Sequence, residues 1–252
     1  MESMNPKNSN IHFLMTIVLQ PVVTGANKGI GFEISKQLAS NGVKVILTAR
    51  DVKRGTEAVD ILKAAGYSDL SFHQLDVSDP VSIFAFVNFI KTEFGKLDIL
   101  VNNAAVNGLT TVGSVDPKDL KFGPDDFISN ENAKKKLGDV DGLTEEKVDE
   151  VVEEFLEDVK ENLIEDKGWP SNNFSAYSVS KTVLNAYTRV LAKKYPTVAI
   201  NAVSPGFTKT DLNYNAGVLT TEEAAKGPVM LALMPDSKPS GLFFDNTEVS
   251  TF

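Results

Sequence analysis

The sequence TGANKGIG at residues 24–31 decides the fold of this chain. It follows a β-like run at Pro21, Val22 and Val23, and it leads into residues 32–38, which carry apolar side chains at helical spacing. A glycine-rich turn between a strand and a helix lets backbone N–H groups approach a pyrophosphate, and the helix N-terminus favours the negative charge. The G-x-x-x-G-x-G spacing is a variant of the dinucleotide-binding fingerprint. Taken alone, it is also compatible with a flexible turn that has glycines by chance.

Length and composition exclude several classes of protein. The 252 residues suffice for one α/β domain with a complete core. Cysteine is absent and the only histidines are His12 and His73, so we expect no disulfide, no cysteine nucleophile and no bound metal. A net charge of −9 argues against nucleic acid or an anionic membrane as a partner. The apolar run at residues 11–19 is too short for a membrane span and has no signal-peptide features, so we expect a cytoplasmic protein.

Strand-like and helix-like segments alternate after the opening turn. The pattern predicts strands at residues 43–48, 70–75 and 97–101 and helices at residues 54–65 and 81–94. Such alternation indicates βαβ units, and the fold class is α/β, with a Rossmann-like, doubly wound parallel sheet that has helices on both faces. We predict an irregular lead-in over residues 1–20 and a single domain over residues 21–252.

The alternation stops after Ala105. Residues 107–142 show no buried strand, and a strongly acidic amphipathic helix follows within residues 144–166. Its apolar stripe predicts that it lies over the core, inside an inserted helical segment at about residues 127–172. Beyond it, the sequence predicts a helix at 176–195, a strand at 199–203, a helical stretch at 221–233 and a strand at 241–244.

A second motif, Tyr177 and Lys181 in AYSVSK, lies on the predicted helix 176–195. A spacing of four residues puts both side chains on one helix face. A lysine ammonium about 4–6 Å from the phenol favours the phenolate and is expected to lower the tyrosine pKa. The pair suits proton transfer to or from a carbonyl or alcohol oxygen. A surface Tyr/Lys pair is the plain alternative, but no other tyrosine has a lysine four residues later.

Five motifs together resemble the short-chain dehydrogenase/reductase family, and within it the plant carbonyl reductases typified by neomenthol (menthone) dehydrogenase and salutaridine reductase. They are TGANKGIG, LDV at residues 75–77, NNAA at 102–105, YSVSK and SPGFTKTD at 204–211. The resemblance covers residues 22–105 and 127–252. It implies that Tyr177 is the catalytic acid/base and Lys181 its partner. It also implies a cofactor site at the turn and beyond, made of Gly25, Asn27, Lys28, Gly29, Ile30, Gly31, Asp76, Val77, Asn103, Tyr177, Lys181, Pro205, Gly206 and Thr208.

Charge at the end of the second strand favours NADP(H) over NAD(H). An acidic residue there would bind the ribose 2′-hydroxyl and repel a 2′-phosphate, but this strand ends in Arg50. Lys28 adds a second cation inside the glycine turn. Asp51 is the alternative, because it would face the ribose if the register were shifted by one residue.

The third catalytic group of the family, a serine after the fifth strand, is not found. The position thirteen residues before Tyr177 is Ile164, Ser129 follows the expected place, and Ser114 is the only upstream candidate. We hypothesise that a helix and a central strand are absent and that residues 106–126 replace them. Removing a central strand exposes backbone groups on both neighbouring strands.

Three functions remain open from the sequence. The first is an NADPH-dependent carbonyl reductase for a small hydrophobic, terpenoid- or alkaloid-like ketone. The second is a truncated or inactive isoform that binds NADP(H) without efficient turnover. The third is a structural or regulatory protein that no longer binds the cofactor. The inserted acidic segment resembles one that covers the association surface of dimeric relatives, which implies a monomer.

Overall fold

The computed structural model describes residues 19–106, 128–170, 175–234 and 239–251. Within them lie seven strands, β1 (Pro21–Val23), β2 (Val45–Ala49), β3 (Leu70–Gln74), β4 (Ile99–Val101), β5 (Ala202–Ser204), β6 (Phe243–Asp245) and β7 (Glu248–Ser250). The helices are α1 (Gly29–Ser40), α2 (Val52–Ala64), α3 (Pro80–Phe94), α4 (Glu131–Gly138), α5 (Glu145–Lys160), α6 (Ser175–Lys194) and α7 (Thr221–Ala232). Residues 1–18 of the predicted lead-in lie outside the described residues.

A four-stranded parallel sheet carries the first half of the chain, in the order β3-β2-β1-β4. Strands β1 and β2 are buried at every position, as their continuous apolar sequences predict. Helices α1, α2 and α7 pack on one face, where Ile34, Leu38 and Val59 are buried. Helix α3 covers the other face through Phe86 and Ile90. The predicted α/β, Rossmann-like architecture is therefore confirmed.

A second sheet is built from the end of the chain. Strand β5 pairs with β6 in parallel, and β6 pairs with β7 in antiparallel orientation. Helix α7 connects this sheet to the first. Its Ala225 and Val229 lie in the core of the four-stranded sheet, while Gly227 faces the second sheet. A Cβ on Gly227 would lie 2.1 Å from the Asn246 carbonyl oxygen and 3.0 Å from a Val203 methyl group.

The two sheets are not joined between β4 and β5. In the described parts of the chain, β4 pairs only with β1, and β5 pairs only with β6. Leu100, in the middle of β4, is 49% exposed, although the central strand of a doubly wound sheet is normally covered on both faces. This arrangement agrees with the hypothesis of an absent central strand. Residues 107–127, which lie between the two sheets along the chain, are outside the described residues.

Helices α4, α5 and α6 form a separate helical cluster. Val151 and Phe155 of α5 are buried against Ala186 and Val190 of α6, together with Trp169. The Trp169 indole N–H donates to the buried Asp158 carboxylate at 2.8 Å. The acidic helix therefore packs on its neighbouring helices and has a core of its own, rather than lying over the core of the sheet as the sequence predicted. Leu156 and Val159 of the predicted stripe are exposed.

The described residues contain neither a candidate membrane-spanning helix nor a candidate metal site. No helix there is both long and apolar enough to cross a bilayer. No group of three or more histidine, aspartate or glutamate side chains there is arranged to hold a metal ion.

Candidate cofactor and active site

Thr24 ties the glycine turn to the end of β4. Its hydroxyl accepts hydrogen bonds from the backbone N–H groups of Asn103 and Ala104, both at 3.0 Å. The Asn103 side-chain amide donates to the Thr24 carbonyl oxygen at 2.9 Å and to that of Gly25 at 3.3 Å. Thr24 is only 3% exposed, so these bonds are protected from water. The turn is therefore held in one conformation by residues about 80 positions away in sequence.

Two glycines of the turn are required by close packing. A Cβ on Gly31 would lie 2.4 Å from the Asn103 amide nitrogen, and one on Gly25 would lie 2.9 Å from the Ala104 Cα. Gly25 also has a φ of +62°, which side chains rarely adopt. Asn27 and Ile30 complete the turn and are partly buried. The glycine pattern is thus explained by the fit of the turn against β4.

Helix α1 begins without a side-chain cap. Its N-cap residue is Lys28, whose side chain makes no capping hydrogen bond. By contrast, Asp51, Asp79, Asn130 and Thr144 each cap the helix that follows them. The first N–H groups of a helix need acceptors, and an anion at this end is also favoured by the helix dipole. The start of α1 is therefore suited to a phosphate group.

The charged residues expected near an adenosine ribose lie at the same sheet edge. Arg50 follows β2 and is exposed. Asp51, the alternative ribose ligand, is occupied elsewhere, because its carboxylate accepts a hydrogen bond from the Arg54 N–H at 2.9 Å and caps α2. Lys28 is also exposed, and its ammonium lies 2.9 Å from a carboxylate oxygen of Asp211.

Asp76 follows β3 at this same edge. Hydrogen bonds from the Ser78 hydroxyl and backbone N–H hold the pKa of Asp76 below its usual value, and the nearby Arg50 charge lowers it further. The neighbouring Val77 is 46% exposed. Because the strands are parallel, the residues that follow β1, β2, β3 and β4 all meet at one edge of the sheet, where open α/β sheets generally bind ligands.

Pro205, Gly206 and Thr208 form a tight turn after β5. The Thr208 hydroxyl is buried and donates to the Pro205 carbonyl at 3.2 Å and the Gly206 carbonyl at 3.1 Å. Gly206 has a φ of +73°. The segment that continues from this turn reaches the glycine turn, where a Cβ on Gly29 would lie 3.7 Å from a methyl group of Thr210.

Tyr177 and Lys181 share one face of α6, as their spacing predicts. The Lys181 ammonium lies 5.5 Å from the centre of the Tyr177 ring. The predicted effect on the pKa is wrong for this structure: burial raises the pKa of Tyr177, and burial lowers the pKa of Lys181. Desolvation disfavours the charged form of both groups. The main packing partners of α6 in the described residues are α5 and α4.

The described residues do not supply the third catalytic group. Ser114 lies outside the described residues. Ser129 is exposed before α4, and Ile164 packs against the helical cluster. The structure thus brings together the glycine turn, Asn103, Lys28 and the segment after β5. Tyr177 lies on α6, which belongs to the helical cluster.

Sequence reasoning missed two residues of this region. Thr24 has a local signal, since it opens the TGANKGIG motif, and its hydroxyl is needed by two backbone N–H groups. Asp211 has no local signal as a partner of Lys28, because 183 residues separate the two.

Comparison with known proteins agrees with this geometry. The family model for short chain dehydrogenases matches residues 21–122 and 167–218, more than half of the chain. The (+)-neomenthol dehydrogenase of Arabidopsis thaliana is 43% identical over 288 aligned positions, covering 92% of this chain and 97% of that protein. Carbonyl reductase [NADPH] 3 of Mus musculus is 35% identical over 275 positions, covering 92% and 97%. The structure of salutaridine reductase from Papaver somniferum superposes with a TM-score of 0.80 at 41% identity, covering 90% and 99%.

A parallel sheet with a glycine turn at its carboxyl edge defines a dinucleotide-binding α/β protein. The chain belongs to the short-chain dehydrogenase/reductase family, whose members are oxidoreductases that use nicotinamide cofactors. Both alignments are longer than the 252 residues of the chain, so these relatives contain residues that have no counterpart here.

Proposed function

We propose that this chain binds NADP(H) at the glycine turn and reduces a small hydrophobic ketone of the terpenoid or alkaloid kind. The observation that carries the proposal is the start of α1. This helix begins without a side-chain cap, directly after a turn that Thr24 and Asn103 hold in place. Such an end supplies backbone N–H groups and a positive dipole to a pyrophosphate. Relatives named neomenthol dehydrogenase and salutaridine reductase support the substrate class.

Charge supports NADP(H) over NAD(H). Lys28 and Arg50 flank the place where the adenosine 2′-phosphate is expected, and both are exposed. Asp51, the carboxylate that follows Arg50 and would repel that phosphate, is turned to the N-terminus of α2. The relative from mouse is named an NADPH carbonyl reductase, in agreement with this choice.

Bound NADPH would supply the hydride for reduction of the carbonyl carbon. In this chain, Tyr177 would donate the proton to the substrate oxygen. Burial raises the pKa of Tyr177, so the phenol keeps its proton at neutral pH and is available as an acid. Lys181 stands over the same ring and would stabilise the phenolate left after proton transfer, because an opposite charge favours the ionised form.

A second candidate, binding of NADP(H) without efficient turnover, is favoured by a specific observation. The sheet is open between β4 and β5 in the described residues, and the relatives contain residues that this chain lacks. The strand expected to carry the catalytic serine belongs at that place. Hydrogen bonds to the end of β4 and to Thr48 of β2 hold the glycine turn, so the proposed cofactor binding does not require the strand hypothesised to be absent.

Titration with NADPH, followed by an assay for ketone-dependent loss of NADPH absorbance with menthone, separates these functions. We expect NADPH to bind at least about tenfold more tightly than NADH, because a charge-assisted hydrogen bond contributes about 1.5–3 kcal/mol. The Arg50→Gln variant should lose that preference, while Lys53→Gln, which removes an exposed cation at the second position of α2, should keep it.

Turnover that Tyr177→Phe abolishes would establish the reductase. Binding without turnover would select the second candidate. A chain that binds neither nucleotide would be a structural or regulatory protein, and both proposals would be wrong.

We further propose a monomer in the cytoplasm, with residues 21–252 as one domain and residues 127–172 as the insertion. The packing of α5 on α6 supports the monomer, because it buries an apolar face of the tyrosine helix within the chain. Light scattering at several concentrations tests it, and a mass that doubles with concentration would contradict it.

A further inference from the structure

An ion pair connects the glycine turn to the segment after β5. The Lys28 ammonium lies 2.9 Å from an Asp211 carboxylate oxygen. The two side chains are 58% and 67% exposed, so water screens the pair and the lysine can exchange partners. Lys28 is also one of the two cations proposed to bind the cofactor 2′-phosphate.

Asp211 is held in place by an ordered segment. The Asn213 side chain donates to the Thr208 carbonyl at 2.9 Å and accepts from the Thr210 backbone N–H at 3.2 Å. The Asn215 N–H donates to the Thr210 carbonyl at 2.9 Å. A methyl group of Thr210 lies near Gly29, where an added Cβ would be 3.7 Å away, so the segment that carries Asp211 lies beside the glycine turn.

We infer that Asp211 competes with the 2′-phosphate of NADP(H) for Lys28 and thereby sets the preference of this chain between NADPH and NADH. The inference rests on the proposed function, namely that this turn binds the nucleotide. When Lys28 turns to the phosphate, Asp211 loses its partner. Asp211 thus acts through Lys28 as a positioning residue, and it opposes binding of NADPH while leaving NADH, which has no 2′-phosphate, unaffected.

The Asp211→Asn variant tests this inference because it removes the charge and keeps the shape. We expect NADPH to bind about two- to fivefold more tightly at low salt, the range of exposed ion pairs, with no change for NADH. The gain should shrink at high salt, because the charges are then screened. In a Lys28→Gln background, Asp211→Asn should have no effect on NADPH, since the two substitutions remove the same interaction.

Asp60→Asn, which removes the same charge from an exposed position on α2, is the matched control and should leave both nucleotides unchanged. Asp211→Ser provides a second variant without the charge and should reproduce the gain. Weaker NADPH binding in Asp211→Asn, an equal change for NADH, or a gain that persists without Lys28 would overturn the inference. A wild-type chain that binds neither nucleotide would overturn the proposed function itself, and this inference with it.

Discussion

The four-stranded sheet holds the glycine turn by hydrogen bonds between side chains and backbone, whereas the helical cluster of α4, α5 and α6 holds Tyr177 by side-chain packing. In the first region, Thr24 and Asn103 connect the turn to β4 through bonds of 2.9–3.0 Å. In the second, the tyrosine helix is placed by its contacts with α4 and α5, and β5, the strand that follows it, lies in the other sheet. The comparison teaches that the proposed cofactor site rests mainly on one sheet, while the proposed catalysis depends on how two regions are held together.

The largest expected effect is a loss of stability when Gly227 is substituted in α7, the helix that connects the two sheets. Gly227→Ala would place a Cβ 2.1 Å from the Asn246 carbonyl oxygen, so the helix and the second sheet must separate. We expect the free energy of unfolding to fall by about 3 kcal/mol, at the upper end of overpacking effects. Urea unfolding followed by circular dichroism measures it.

Gly138→Ala in α4 is the matched control, because a Cβ there meets no atom within 4 Å. It should be neutral or slightly stabilising, since alanine has the higher helix propensity. Equal effects of the two substitutions would show that α7 does not connect the sheets in the way described.

The next effect concerns the glycine turn. Thr24→Val keeps the shape of the buried side chain but removes the acceptor of the Ala104 N–H and leaves the Asn103 N–H with the Val101 carbonyl alone. We expect a loss of about 1–3 kcal/mol in the free energy of unfolding, the cost of a donor left unsatisfied, together with weaker NADPH binding. Thr24→Ser retains the hydroxyl and should retain affinity. If both variants bind NADPH as wild type does, the hydrogen bonds do not organise the turn.

The smallest expected effect is a shift in the pKa of the Tyr177 phenol on α6, which can be followed by absorbance. The difference in phenolate absorbance between wild type and Tyr177→Phe reports the titration of this one phenol. Burial raises its pKa, so we expect a midpoint above the ordinary value of 10.0. A raised folded-state pKa also means that the Tyr177 contribution to stability is present below the unfolded pKa and is lost as the pH rises through the folded value. A midpoint below 10.0 would show that the Lys181 charge prevails over burial.

The sheet could be predicted from the sequence because its signals are local. The predicted strand at residues 43–48 is observed as Val45–Ala49, and the predicted helix at residues 81–94 as Pro80–Phe94. Helix α4 was missed because Ala133 and Leu137 are its only buried residues, too few for a clear apolar period. Strand β7 was missed because all three of its residues are exposed, so no alternation marks it.

The position of a candidate site residue could be predicted where the residue directly follows a strand. It could not be predicted where burial or contacts between distant parts of the sequence determine its properties. Arg50 and Asp76 follow β2 and β3, and parallel strands bring their ends to one edge. The spacing of Tyr177 and Lys181 predicted that they share a helix face. The direction of the pKa shift of Tyr177 depends on how deeply the side chain is buried, which the spacing does not reveal. The pairing of Lys28 with Asp211 arises only when the segment after β5 folds back onto the turn.

The missing side-chain cap of α1 makes the proposed nucleotide a stabilising ligand of the fold as well as a reactant. Helices α2, α3, α4, α5 and α7 each begin with a side chain that caps them, whereas the start of α1 is suited to an anion. A ligand present at a hundred times its dissociation constant stabilises a folded chain by about 2.7 kcal/mol. The proposed cofactor would therefore stabilise the folded chain against unfolding, and the free energy of unfolding would rise with the cofactor concentration.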